Sequence, residues 1–376
     1  MRIAQFISAR VMNGAARHCL AFSAALTARG HEVTVFHRPD LREALGGTAA
    51  VRFEITDFRR SLRELDRIAR RLAASGTQVI HTHMSSAHTL GAVLRAWRGV
   101  PTVATAHSRH FQLHWRFNDR VIAPARSTAA FHRRVNRIPA SRLVVIPNFV
   151  DADAFAPASP GRCAESRRAL GLAPDALVIG SVADIIALKR PSDLVSAARG
   201  VLGGPDEAVL LLAGAEIDAA EARRLSAASQ GLAERVRRLG RVGDVGAVLA
   251  ACDVFALASL TEEAPMAVLE AMACGLPIAA TDVGGVGELA PHELAALLSP
   301  PRDVPALARN LQRLAADPGL RRRLGEAGRA RALAGFAAGP IVERIEAVLA
   351  EAAALRPRWA GAGPRWPAGA GRNLLI

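Results

Sequence analysis

The stretch Thr261 to Pro277, TEEAPMAVLEAMACGLP, places two carboxylates, Glu262 and Glu270, around the start of a short helix. Pro265 fits a first helical turn, where the N–H that proline lacks would be unpaired in any case. Met266 to Cys274 reads as helix, and Gly275 followed by Pro277 supplies its stop. A helix N-terminus presents unpaired amides and the positive end of the dipole, so the amides of Met266, Ala267 and Val268 suit a phosphate. The carboxylates on either side can accept from sugar hydroxyls. A ligand carrying both phosphate and hydroxyls satisfies this arrangement. An ordinary capped helix with a solvated acidic face satisfies the spacing as well.

Lys189 is the second signal, because 47 of the 48 basic residues are Arg and it is the one Lys. A compact ammonium on a flexible stem differs from a planar fork, and a site can favour one over the other. Lys189 follows a hydrophobic strand, Leu177 to Val182, and a loop, and it precedes a helix starting near Pro191. Open α/β sheets bind their ligands at such places, outside the carboxyl ends of the strands.

The elements around these residues alternate between strand and helix patterns along the chain, which argues for parallel sheets built from βαβ units. A chain of 376 residues with 51% hydrophobic content exceeds the usual size of one domain and can bury two cores. The expected boundaries are 1–156 for a first domain and 172–335 for a second, with an apolar-periodic helix over 341–355. The tail 356–376, rich in Pro, Gly and Ala, is expected to be poorly ordered.

These segments resemble the donor-binding half of the retaining glycosyltransferases of the GT4 type, the glycosyltransferase group 1 family. Glu262 and Glu270 match the E-x7-E signature within the E-x-x-P-x-x-x-x-E-A-M-A-x-G-x-P context, and Gly180, Val182 and Lys189 match G-x-V-G-R-L-x-x-x-K. Ala183 and Asp184 depart from that second motif, which has Gly and Arg there. Met12 to Arg17 resembles the GGAER turn, with Gly14 as the retained glycine, and VIHTHMSSAHTLG, GVPTVATAHS and LVVIPNFVDADAF resemble further segments in the expected order.

The resemblance implies a GT-B fold: two Rossmann-like doubly wound domains facing a cleft, an acceptor domain first and a nucleotide-sugar domain second, with the 341–355 helix crossing back. It implies catalytic roles for His107 and Glu262, with Glu262 on the sugar ring, and donor binding by Gly14, Lys189, Met266, Ala267, Val268 and Glu270, with Glu270 on the ribose. The nucleotide sugar is a co-substrate, anomeric configuration is retained, and neither a metal nor another cofactor is required. A GT-B epimerase or phosphorylase, or a catalytically weak GT-B scaffold on a membrane or polyanion, shares the fold.

Charge is uneven. Residues 1–150 hold 23 Arg against 8 acidic residues, a net of +15, whereas residues 151–376 hold 25 basic and 26 acidic residues, a net of −1. An anionic glycan or glycolipid acceptor, or an anionic membrane surface, suits that excess, and Arg126, Arg133, Arg134 and Arg137 are its candidate residues. No nucleic-acid partner is expected. No stretch of about 20 apolar residues is present, and MRIAQFISAR reads as a first strand rather than a signal peptide. A cytoplasmic protein, peripheral at the inner face of the cell membrane, is the expectation.

Cys19, Cys163, Cys252 and Cys274 read as reduced packing residues. His81 and His83 share one strand face without a third ligand at matching spacing, and Asp151-Ala152-Asp153 reads as a turn with capping aspartates rather than a metal-binding DxD. The cell-envelope glycosyltransferase, acting for instance on lipopolysaccharide core or another surface polysaccharide, is the leading expectation.

Overall fold

The computed structural model describes residues 1–45, 51–59, 61–204, 207–232 and 234–355, so the tail expected over 356–376 lies outside the described residues. The first sheet has seven strands: β1 (Arg2–Ile7), β2 (Glu32–His37), β3 (Arg52–Ile55), β4 (Val79–His83), β5 (Thr102–Thr105), β6 (Arg120–Ala123) and β7 (Leu143–Val145). Their order is β3-β2-β1-β4-β5-β6-β7. β1 runs parallel to both β2 and β4, with Phe6 level with Phe36 on one side and Thr82 on the other. The connections are α1 (Gly14–Ala28), α2 (Leu62–Ala74), α3 (Ser85–Arg98) and α4 (Arg126–Arg134). The capping side chains of Asn13 and Ser61 start α1 and α2, each accepting from a first-turn amide.

The second sheet has six strands: β8 (Leu177–Val182), β9 (Ala208–Ala213), β10 (Val236–Gly240), β11 (Val254–Leu257), β12 (Ile278–Thr281) and β13 (Ala296–Ser299), in the order β10-β9-β8-β11-β12-β13. Around it run α5 (Pro160–Ala169), α6 (Pro191–Leu202), α7 (Ala219–Ala228), α8 (Val245–Ala250), α9 (Met266–Ala273), α10 (Val286–Leu289), α11 (Val304–Ala316), α12 (Pro318–Phe336) and α13 (Ala338–Ala353). β9, AVLLLA, is buried at every position. Such a run without alternation is what a parallel strand covered on both faces requires. One core fills each side of this sheet, around Phe255 and Met272 on one and Leu194 and Leu311 on the other.

The last helix begins three residues before the expected 341, at Ala338. Pro340 falls in its first turn, where the lost N–H has no intrahelical partner, so proline does not mark the boundary.

By compactness the chain divides into one unit of Met1–Thr105, Gln112–Val121 and the residues from Glu346, and a second of Ala106–Phe111 and Ile122–Ile345. This division differs from the expected boundary at 156. The physical reason is local: the first amides of α4, from Arg126 and Ser127, donate to the Glu288 carboxylate at 2.8 and 3.0 Å, which ties α4 to α10. Within the first unit, Glu346 of α13 accepts from Arg29 Nε at 2.6 Å and meets His31 Nε2 at 2.9 Å.

Candidate functional site

In the second sheet β8 and β11 are neighbours, and the strand order reverses between them. In open α/β sheets such a reversal is where ligands bind, outside the carboxyl ends of the strands. Lys189 is on the loop after β8 and Glu262 on the loop after β11. The backbone joins these loops through Leu260 N–H donating to the Leu188 carbonyl at 2.8 Å. Lys189 Nζ then donates to Glu262 Oε1 at 2.5 Å, and the Ser259 hydroxyl donates to the same oxygen at 2.7 Å. Glu262 is 8% exposed while the Lys189 side chain is 27% exposed, so the carboxylate is enclosed and the ammonium reaches solvent. The two residues assigned to different parts of a ligand are thus partners of each other. Sequence spacing gave no sign of that pairing, because 73 residues separate them.

Glu270 sits in the second turn of α9 and is only 3% exposed. The solvated acidic face that the spacing also allowed is therefore excluded. Pro265 is the N-cap of α9 rather than its first helical residue, in an extended conformation and without a side-chain cap. The Val268 amide turns back to the Pro265 carbonyl at 3.2 Å, while the Met266 and Ala267 amides precede it at the open end of the helix. Cys274 closes the helix as C-cap, with Gly275 at φ +75° beyond it. Burial pushes the Cys274 thiol up to about 12, so it remains a neutral packing group. Cys19, Cys163 and Cys252 are likewise unbridged.

Sequence reasoning missed the group on the far side of the loop. Arg109 Nε donates to Glu263 Oε1 at 3.0 Å and its Nη2 donates to Thr261 Oγ1 at 2.8 Å. The Thr128 hydroxyl donates to the other Glu263 oxygen in a short bond. Burial raises the Glu263 carboxyl above its usual range, while Thr128 and Arg109 pull it back down. The loop is also held through its backbone. Asn148 Nδ2 donates to the Ala264 carbonyl at 2.7 Å, and a Cβ at Gly284, where φ is +58°, would fall 1.5 Å from the Glu262 carbonyl oxygen. The clue in the sequence is the doubled carboxylate Glu262-Glu263.

The remaining expected residues are dispersed. Asp184, the departure from the strand-loop motif, accepts from Ala215 N–H at 3.0 Å and lies 3.9 Å from Arg241. It fastens the β8 and β9 loops together rather than facing Lys189's partner. Gly14 opens α1 in the first unit, and a Cβ there would meet nothing within 4 Å, so the chain's own packing does not demand the glycine. His107 lies just after β5, two residues before Arg109, and is half-buried. Arg126, Arg133, Arg134 and Arg137 are all exposed, on α4 and the turn after it. The same segment is not solvated throughout: His132 is fully buried and meets the Ser108 carbonyl at 3.1 Å, and Asn136 donates to the His110 carbonyl at 3.0 Å. Asp151 makes the expected turn, accepting from the amides of Asp153 and Ala154.

Two families cover most of the chain: Glycosyltransferase Family 4 matches residues 12–154 and Glycosyl transferases group 1 matches residues 164–331. The D-inositol 3-phosphate glycosyltransferase of Actinosynnema mirum is 31% identical over 277 residues, covering 65% of this chain and 66% of that protein. The UDP-Gal:alpha-D-GlcNAc-diphosphoundecaprenol alpha-1,3-galactosyltransferase of Escherichia coli is 28% identical over 260 residues, covering 64% of this chain and 66% of that protein. The chain thus spans just under two thirds of each of these relatives. Anabaena HepE, solved in complex with UDP and glucose, superposes with a TM-score of 0.83 at 22% identity over 93% of this chain and 100% of its own. With two parallel α/β sheets of this order and both matches in sequence, the chain belongs to the GT4, group 1 family of glycosyltransferases and has the GT-B fold.

Proposed function

We propose that the protein transfers a sugar from a nucleotide-sugar donor to a cell-envelope glycan or glycolipid acceptor, with retention of anomeric configuration. The observation that carries this reading is the Lys189–Glu262 pair at the carboxyl ends of β8 and β11, beside a helix N-terminus with no side-chain cap. Breaking a sugar–diphosphate bond builds positive charge at the anomeric carbon and negative charge on the leaving phosphate, so preorganised donors are needed at the phosphate end. Lys189 and the amides of Met266, Ala267 and Val268 take that role. A donor phosphate competes with Glu262 for the ammonium, which frees Glu262 Oε1 for hydroxyls of the sugar ring. Glu270 holds the ribose, Gly14 admits the donor closely, and His107 faces the sugar. Attack comes from the leaving-group side, and the leaving phosphate accepts the acceptor's proton, so no separate nucleophile or metal is needed.

Residues 172–335 serve the donor and residues 1–156 the acceptor. HepE is solved with UDP and glucose, and the E. coli relative is named for a diphosphoundecaprenol acceptor, which supports a nucleotide-sugar donor and an anionic lipid-linked acceptor. Among the described residues no helix is long and apolar enough to cross a membrane, so contact with such an acceptor is assigned to a peripheral basic surface at Arg126, Arg133, Arg134 and Arg137. Mass-spectrometric measurement of donor hydrolysis across UDP-, GDP- and ADP-sugars tests the reading, with release of nucleoside diphosphate from at least one donor expected. Proton NMR of the first-formed sugar tests retention. A protein that hydrolyses none of these donors, with or without lipid-linked acceptor, overturns it.

A further inference from the structure

Glu262 and Glu263 are adjacent, and their carboxylates go opposite ways. Glu262 meets Ser259 and Lys189, and Glu263 meets Arg109 and Thr128. Whatever holds Glu263 therefore sets the backbone rotation that delivers Glu262. We propose that Arg109 and Glu263 form a positioning pair that fixes the loop Thr261–Ala264 and so aims the Glu262 carboxylate at Lys189; the inference rests on Glu262 being the group that holds the donor sugar.

One guanidinium reaches three consecutive residues: Glu263 Oε1 at 3.0 Å, Thr261 Oγ1 at 2.8 Å, and the Glu262 carbonyl oxygen at 3.5 Å. A planar fork can make such a set, and a point charge cannot. The pair is well enclosed, with 26% of the Arg109 side chain and 11% of the Glu263 side chain exposed, so little solvent competes for it. The loop's other fixings each act at one point: Thr128 on Glu263, Ser259 and Lys189 on Glu262, Gly284 against the Glu262 carbonyl, and Asn148 on the Ala264 carbonyl. Arg109 is the charged side chain that spans three consecutive residues of the loop. Because Arg109 is two residues from His107, the same bridge joins the segments that carry both groups assigned to the sugar.

The experiment compares the full chain with Arg109→Ala, Arg109→Lys, Glu263→Gln and the exchange Arg109→Glu with Glu263→Arg, using UDP-glucose as donor and UDP as nucleotide probe. A misplaced carboxylate should lower turnover about 10–100-fold in Arg109→Ala, while UDP affinity stays unchanged because Glu270 and Lys189 remain. Arg109→Lys should recover part of the turnover, and the exchange more than either of its single changes. Unchanged turnover in Arg109→Ala overturns the inference, as does a parallel loss of turnover, UDP affinity and thermal midpoint, which is what general destabilisation gives. A crystal structure of Arg109→Ala provides an arm independent of activity: Glu262 still bonded to both Ser259 and Lys189 overturns it. If the unmodified protein hydrolyses no nucleotide sugar yet Arg109→Ala displaces Glu262, the proposed function fails and the positioning pair stands.

Discussion

Two enclosed clusters of ionisable side chains solve the problem of burial in opposite ways. Beneath the first sheet, His18, His81 and His83 are buried, with the His81 and His83 rings 4.3 Å apart and the His18 and His83 rings 5.9 Å apart. Their polar partners are neutral: His81 Nε2 meets Thr105 Oγ1 at 2.8 Å and His83 Nε2 meets Gln5 Oε1 at 3.0 Å. Burial pushes His18 down to about 4 and His81 to about 3. At the carboxyl ends of β8 and β11, by contrast, Lys189 stands against Glu262 and Arg109 against Glu263. A group buried among neutral partners abandons its charge, and a group buried against an opposite charge can keep it. Only the second kind of cluster can hand a charge to a ligand, and it is the one at the switch point of a sheet.

Acid should break the first cluster, and this is the largest effect expected. A histidine whose folded pKa is depressed binds its proton more readily in the unfolded chain. Stability is therefore intact above the unfolded value of about 6.5 and falls as pH drops from there toward the folded values. His18 alone, moved to about 4, corresponds to a loss on the order of 3 kcal/mol across that window. Urea midpoints by circular dichroism should drop steeply between pH 7 and pH 5, and His18→Leu should flatten the slope. A midpoint that is level over that range contradicts burial as the cause.

Glu262 of the second cluster and Glu270 of α9 should separate. Glu262→Ala should leave nucleoside diphosphate binding nearly intact while lowering turnover by about 100-fold or more, since it removes preorganised groups at the reacting centre. Glu270→Ala should weaken the nucleotide itself. Calorimetric titration with UDP beside a turnover assay separates these effects. Matching losses of thermal stability with normal activity per folded molecule would assign both to structure alone.

A smaller change is expected at Lys189. Removing a charge-assisted contact to phosphate costs about 1.5–3 kcal/mol of donor affinity. Lys189→Arg should recover only part, because its fork cannot occupy the same place between Glu262 and a phosphate. Donor affinity that is unchanged in Lys189→Ala removes Lys189 from the site and leaves its bond to Glu262 as a loop fastening.

The contrast between the clusters also shows what was legible beforehand. β8 was readable to the residue, and β1 within MRIAQFISAR, because their apolar runs end where polar loops begin. α9 was readable because Pro265 and Gly275 punctuate it, although the proline proved to be the N-cap. Glu262, Glu270 and Lys189 stood out by spacing and by the rarity of lysine. Their mutual geometry did not, since pairing across 73 residues depends on β8 and β11 being neighbours, which no local pattern encodes. Arg109 was invisible for a related reason: among 47 arginines nothing local distinguishes the one whose fork closes on Glu263. His81 and His83 were seen to share a face, but only the packing of α1 brings His18 to them.

The gentlest test concerns charge that neither cluster uses. Arg133 and Arg134 are exposed at the end of α4 and Arg137 in the turn after it, beside the buried His132 and Asn136. Reversing all three to Glu should leave the fold and donor hydrolysis unchanged, because none of them touches Lys189, Glu262 or Arg109 in the hydrogen-bond network described. Each basic residue near an anionic bilayer contributes roughly 1 kcal/mol, and exposed charges are screened beyond about 8 Å at physiological ionic strength. Co-sedimentation with phosphatidylglycerol vesicles should therefore weaken as salt rises and vanish in the triple reversal. Binding that is insensitive to salt, or absent from the unmodified protein, removes the membrane from the proposed function and leaves the arginines to an anionic soluble acceptor.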